Sequence, residues 1–270
     1  MMIRRHELPT APPPTSPRPF PRPAPAATPP PSPLAGASPK LRLRHEHCGH
    51  ILVLYLASRG DFVLVGDLMK SVSLLQWSAI SGSITEIARD YNANWMTAVS
   101  FLDDDTFLGS ENALNLFVTR KQTDASTEEE RQRLEIVGEF HVGEFINRFR
   151  SGSLTIADSS IAPPLSNLLY GTVNGVLGVV VAIPQEQFTF LKKVQESLAR
   201  VVQGVGGLSH AEWRSFSNER RTADATNFID GDLIESFLDL PVDKMAEVVS
   251  GLDVSVEELS RRVEELVRLH

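Results

Sequence analysis

A chain of 270 residues, 42% hydrophobic and 22% charged, has room for one or two domains with a sizeable core and the composition of an ordinary soluble globular protein. Its lone cysteine, Cys48, excludes an internal disulfide framework and fits a reducing compartment. The net charge of −8 is unevenly spread: residues 1–50 hold seven Lys or Arg against Glu7 and Glu46, leaving 19 basic and 32 acidic residues beyond, a sign that opposes any groove that must track phosphates.

The first 40 residues hold 14 of the 18 prolines and almost no acid. Proline removes amide donors and fixes φ, and so little apolar surface cannot offset the entropy of ordering. Residues 1–44 are therefore expected to be a disordered Pro-rich leader. Its Arg, Ser and Ala content gives it a faint likeness to an organellar transit peptide. No secretory signal is visible, and no apolar run approaches the ~18 residues that a membrane helix requires. His45, His47, Cys48 and His50 invite a zinc reading. Four ligands within six residues leave no second pair to close a tetrahedron, so no metal is expected there.

From Ile51 onward the pattern is short apolar or alternating runs separated by Gly, Asp, Asn or Ser, which predicts strands joined by tight turns. Named examples are Ile51–Leu56, Asp61–Val65, Val72–Trp77, Met96–Leu102, Asn115–Thr119, Gly138–His141, Ser153–Ala157, Leu168–Thr172 and Leu177–Ala182. This recurrence is compatible with about three four-stranded propeller blades over residues 45–184. Asp103-Asp-Asp105 suits a hairpin turn better than a cation site, because Asp favours turns. Thr123–Arg133 reads as a polar loop with a turn of helix, and Ser159–Pro164 as a second loop.

After Pro184 the period becomes helical. Phe188, Leu191, Val194, Leu198, Val201 and Val202 recur at helix spacing before Gly204, Gly206 and Gly207 provide a stop. Further helices are expected around Leu233–Leu238, from Pro241 through Val249, and over Val256–Val267, the last with a Ser255/Glu258 capping box. Residues 185–270 are thus expected to form a small helical domain. Arg214 and the carboxylates Asp230, Asp232, Glu235 and Asp239 read as helix caps and a solvated outer face.

No Gly-rich phosphate loop, nucleophile elbow or His-Glu-x-x-His occurs, so the chain is expected to be no enzyme and to hold no cofactor. Gly171-Thr-Val-Asn-Gly-Val-Leu-Gly178 has glycines like a dinucleotide loop, but strand-like residues follow where a helix would have to begin.

Several longer segments carry a resemblance. They are Gly60-Asp-Phe-Val-Leu-Val-Gly-Asp-Leu-Met-Lys-Ser71, Ala88-Arg-Asp-Tyr-Asn-Ala-Asn-Trp-Met96, Phe107-Leu-Gly-Ser-Glu-Asn112, Gly143-Glu-Phe-Ile-Asn147, Trp213-Arg-Ser-Phe216 and Asn227-Phe-Ile-Asp-Gly-Asp-Leu-Ile-Glu-Ser-Phe-Leu-Asp-Leu240. In this order they resemble the C-terminal end of the damage-specific DNA-binding large-subunit family, the triple-propeller adaptors of cullin-four ubiquitin ligases, especially its plant members. Chains of mRNA splicing and of cleavage and polyadenylation share that region. The resemblance implies a mainly β fold with an α-helical C-terminus: part of the third propeller, then a helical domain. The length leaves no room for the cullin-binding propeller or most of the first.

It also implies a non-catalytic interaction module that works in the nucleus, and also the cytoplasm, and holds helical motifs of substrate receptors of a cullin-RING ligase. The positions matching the family's receptor clamp are Ile51, Leu54, Leu68, Trp95, Asn147 and Val173, an apolar patch with one aromatic anchor and one amide. Chemistry alone favours a core position for Trp95; the resemblance favours a partner-facing one. The alternative reading is a nucleic-acid-binding protein like the RNA-processing relatives.

Overall fold

The computed structural model describes residues 1–6, 43–152 and 167–267. The chain opens with a strand, β1 (Met2–His6). A first antiparallel sheet follows in simple meander order: β2 (Val53–Arg59), β3 (Phe62–Asp67), β4 (Val72–Ser78) and β5 (Ser83–Arg89). The second repeats the plan with β6 (Met96–Phe101), β7 (Thr106–Glu111), β8 (Asn115–Lys121) and β9 (Leu134–His141), with a one-turn helix, α1 (Glu128–Arg131), before β9. The third begins as β10 (Ile146–Ser151), β11 (Asn167–Thr172) and β12 (Leu177–Val181).

β1 supplies the fourth strand of that third sheet. It lies antiparallel to β12, with Met2 opposite Val181 and Ile3 opposite Val180, and parallel to a short fifth strand, β15 (Ile229–Asp230). The expected disorder of residues 1–44 is thus corrected at its start. Five residues with one β-branched side chain carry little strand signal; partners almost 180 and 230 positions away supply the ladder. Residues 7–42 lie outside the described residues, and 43–50 have no regular secondary structure.

Burial follows the pleat. In β11 the residues alternate between half-buried and buried, whereas every residue of β7, a central strand, is buried. Two apolar cores join the three sheets. Leu64, Val72, Leu74 and Ala88 of the first meet Met96, Phe107 and Phe117 of the second. Leu108, Leu116 and Phe140 of the second meet Ile146, Leu168, Tyr170, Val180 and Ile3 of the third. Gly66 permits the first approach: a Cβ there would sit 2.9 Å from Val99 Cγ1.

The helices follow the last long strand: α2 (Gln185–Val201), α3 (His210–Arg214), α4 (Gly231–Glu235) continued by a 3₁₀ turn over Ser236–Asp239, α5 (Val242–Val249) and α6 (Val256–Val267). A two-residue ladder, β13 (Phe216–Ser217) with β14 (Thr222–Ala223), precedes β15. Leu191, Val194 and Leu198 of α2 share a core with Ile234, Phe237, Val248, Leu259 and Val263, and Met2 and Ile229 belong to it. The helices thus rest on the edge that β1 and β15 make. No helix among the described residues is long and apolar enough to cross a membrane.

Local chemistry explains several ends. Thr127 and Ser209 each cap a helix with a glutamate three residues on, at Glu130 and Glu212. Ser255 Oγ accepts from Glu258 N at 3.2 Å, but the Glu258 carboxylate bonds Arg262 instead of reaching back. Asp103-Asp-Asp105 is the β6–β7 turn, with Asp105 N donating to Asp103 Oδ1. Ser153–Ala157 and Ser159–Pro164 lie outside the described residues.

Arg214 and Asp230 are a second correction. Both are buried, and Arg214 Nε lies 2.6 Å from Asp230 Oδ2. Arg214 Nη1 also donates to the carbonyls of His141 and Val142, which ties α3 and β15 to the second sheet. His210 Nε2 lies 2.9 Å from the same carboxylate oxygen. Burial works against a charged Asp230, yet the bonds to His210 and Arg214 outweigh it and hold the carboxyl below its usual range.

Candidate functional site at one end of the sheets

The first strands of the three sheets, β2, β6 and β10, lie against one another with β6 in the middle. Each begins in the same way. The amide of Leu68 donates to Leu52 O, that of Asn112 to Trp95 O and that of Val173 to Phe145 O, at 2.9–3.0 Å. In each case the turn between the second and third strands is fastened to the residue just before or at the start of the first. A β-bulge then follows at the same relative point, taking up Leu54, Thr97 and Asn147. This repetition brings Ile51, Leu54 and Leu68 to one end of the first sheet. Trp95 stands at the matching end of the second, and Asn147 and Val173 at that of the third.

Bonds between the sheets align these ends. Ser71 N donates to Asn94 O at 3.3 Å, which joins the first sheet's turn to the approach of β6. Val142 N donates to Leu114 O at 3.0 Å, which joins the second sheet's turn to the approach of β10, and Ser110 Oγ of β7 donates to Ile146 O of β10.

The residue that opens each turn does the local work. Asp67 Oδ2 accepts from the amides of Ile51 and Leu52 at 3.0 Å, and Oδ1 from those of Met69 and Lys70 at 2.9 Å. Burial opposes its charge, but four amide donors prevail and its carboxyl is held below the ordinary value. Glu111 stands at the corresponding position of the second sheet, bonded to Asn115; burial pushes this carboxyl up. Thr172 is the third sheet's counterpart, its hydroxyl accepting from Val176 N at 3.1 Å.

Beneath the surface runs a buried polar link. Ser71 Oγ donates to Asp90 Oδ2 at 2.7 Å, and the Asn94 amide reaches Ser71 Oγ at 3.4 Å. Burial pushes Asp90 up, against bonds from Asn92 and Ser71. The link fixes the segment that presents Trp95.

Trp95 is 50% exposed, so the core position that chemistry alone favours is not the one it occupies. Ile51, Leu54, Asn147 and Val173 are also exposed, and Leu68 is half-buried. Leu52, Val53, Met69 and Tyr91 are exposed apolar or aromatic residues that the sequence reading left out. Part of the signal was there: Ile51–Leu56 is an unbroken apolar run, where a strand with one wet face would alternate. Thr97, at the bulge equivalent to Leu54 and Asn147, is buried against Ser110 and takes no part. Among the described residues, no three His, Cys, Asp or Glu gather as they would around a metal ion; His47 and His50 stack edge to face at 5.7 Å.

Comparison with known proteins places this architecture. The chain is 60% identical over 226 residues to DNA damage-binding protein 1a of Arabidopsis thaliana, covering 83% of this chain and 21% of that one. It is 56% identical over 237 residues to DNA damage-binding protein 1 of Solanum lycopersicum and 55% identical over 235 residues to that of Oryza sativa subsp. japonica, covering 22% of each relative. The chain thus spans about a fifth of the length of the curated relatives it matches. The family described as "CPSF A subunit region" matches residues 38–239, a span that holds the strands from β2 to β15 and all six candidate positions. By that match and these identities, the chain belongs to the CPSF A subunit region family.

Proposed function

We propose that the chain is a non-catalytic interaction module, the counterpart of the C-terminal part of a cullin-four ligase adaptor that serves DNA repair and protein turnover in the nucleus. In this reading residues 45–184 form an incomplete β-propeller whose third blade is completed by β1 and β15, residues 185–270 form a helical domain that braces it, and no cofactor is needed. Ile51, Leu54, Leu68, Trp95, Asn147 and Val173 receive an amphipathic helix of a substrate receptor. The observation that carries the reading is the accessibility of these residues at one common end of three repeated sheets, on turns fastened to the first strands by backbone bonds and, in the first sheet, by the buried Asp67 carboxylate. A rigid apolar surface with one tryptophan and one amide suits a helix that buries apolar residues at i, i+3 and i+4.

The test is binding of a receptor helix to a full-length adaptor that carries this chain as its C-terminal part. Trp95→Ala is expected to weaken binding by about 2 kcal/mol, the scale of an interface hot spot. Its thermal midpoint should stay unchanged, because the ring already meets solvent. Unaltered affinity with unaltered folding removes Trp95 from the surface.

The relatives' name, DNA damage-binding protein, favours a second reading in which the chain contacts nucleic acid directly. The acidic balance beyond residue 50 stands against it. A mobility-shift assay with DNA and RNA separates the two: a shift by this chain alone supports the second.

A further inference from the structure

The first strands of the three sheets line a cleft of about 310 Å³ that shares only Asn147 with the proposed helix surface. It runs from Tyr55 to Arg59 on β2, from Ala98 to Phe101 on β6 and from Asn147 to Ser151 on β10. Its chemistry is the reverse of the chain's. In a protein of net charge −8, the described residues of the lining include Arg59, Arg148 and Arg150 and no carboxylate. Arg148 and Arg150 are exposed, stand two apart on one edge strand, and make no ion pair among the described residues. Arg59 approaches from the opposite side of β6. Among the described residues its ion-pair partner is Asp104, on the exposed β6–β7 turn, at 3.5 Å, and its guanidinium lies 5.9 Å from the centre of the Phe101 ring. Ser58 and Ser151 add hydroxyl groups along the lining.

We propose that this cleft binds a compact polyanion, a small molecule that carries several phosphate groups close together. Guanidinium groups offer paired donors that match phosphate oxygens, and three of them around one cleft reward a ligand that engages all three at once. Four or five residues on each strand span at most about 13 Å, the reach of a small molecule and not of a polymer. The acidic remainder of the chain repels an extended polymer of phosphates, such as a nucleic acid, while it leaves a compact ligand inside the cleft unaffected beyond about a Debye length. Asp104 is a competitor for Arg59, so it weakens the site that it borders.

Titration calorimetry on the full chain with inorganic tripolyphosphate as the probe tests this at low and at moderate salt. One equivalent should bind, at least ~10-fold more tightly than orthophosphate, since one phosphate engages fewer of the arginines. Arg148→Gln combined with Arg150→Gln should weaken binding at least ~10-fold with an unchanged thermal midpoint, and Asp104→Asn should tighten it. Arg220→Gln, an exposed arginine outside the cleft, should change nothing. Absence of binding, equal loss in Arg220→Gln, indifference to the Arg148/Arg150 pair, or equal affinity for orthophosphate overturns the proposal. Tighter binding of a single-stranded oligonucleotide than of tripolyphosphate overturns it in favour of nucleic acid. None of these outcomes depends on whether a receptor helix binds, so this site and the helix surface stand or fall separately.

Discussion

Asp67 supports more of the candidate surface than any residue that the surface exposes. A carboxylate that accepts four amide bonds is the cheapest way to keep the start of β2 and the β3–β4 turn in one place, because each bond is charge-assisted and the group is shielded from water. Asp67→Asn keeps the size but leaves one oxygen to do the work of two and turns an NH₂ towards amide donors. We expect a loss of about 2–3 kcal/mol in chemical denaturation, the range for bonds to a charged group. The sign with pH follows from the lowered pKa. The stabilisation is complete above the ordinary value of 3.8 and is lost as pH falls through the lower folded value. Asp67→Asn should therefore flatten the acid limb of the stability profile below about pH 4. An unchanged acid limb would assign that stability to other carboxylates.

At the scale of elements, β1 is the least expected feature and one of the most consequential. Met2 and Ile3 point into two different cores: Ile3 lies with Tyr170 and Val180 between the second and third sheets, and Met2 lies with Ile234 and Phe237 under the helices. The strand therefore stitches the helices to the sheets through alternate side chains, as the pleat requires. Ile3→Ala should cost about 2–4 kcal/mol, the range for truncating a fully buried branched side chain. Differential scanning calorimetry measures it, and a midpoint within a degree of the parent would show that β1 docks without bearing on stability. By contrast, the repeated turns at Asp67, Glu111 and Thr172 show how three sheets reach the same geometry with three chemistries. Two of these are carboxylates with opposite shifts, because Asp67 meets four amides and Glu111 does not.

At the scale of the whole molecule, the first sheet leaves an apolar side uncovered. Tyr55 and Ala57 of β2 turn to the core shared with the second sheet, while Leu54 and Leu56, on the alternate positions, are 38% and 64% exposed. β2 is an edge strand, and Val53 and Phe62 add to the exposed area. An apolar strip along a strand edge invites pairing with another copy. We expect the isolated chain to self-associate in sedimentation velocity, with Leu56→Lys shifting it towards monomer. A cooperatively unfolding monomer at every concentration tested would contradict an uncovered sheet face.

Much of this architecture was legible in one dimension, for a physical reason. Strands and helices whose own residues alternate or recur at helical spacing announce themselves, so β3, β4, β6, β8, β11, β12, α2, α5 and α6 fall where periodicity put them. So did the turn at Asp103-Asp-Asp105. The sequence by itself also determined the family, because motifs long enough to be specific survive in order along the chain. Pairing over long separations was not legible. β1 is a strand because Val180 and Ile229 are there to meet it. Arg214 and Asp230 are buried, and not solvated, because each neutralises the other. Exposure was undetermined as well: tryptophan favours a core by its chemistry, and only the packing of the second sheet against its neighbours decides that Trp95 faces water. Composition sets what a segment can form; which face is covered depends on residues that only the folded chain brings near.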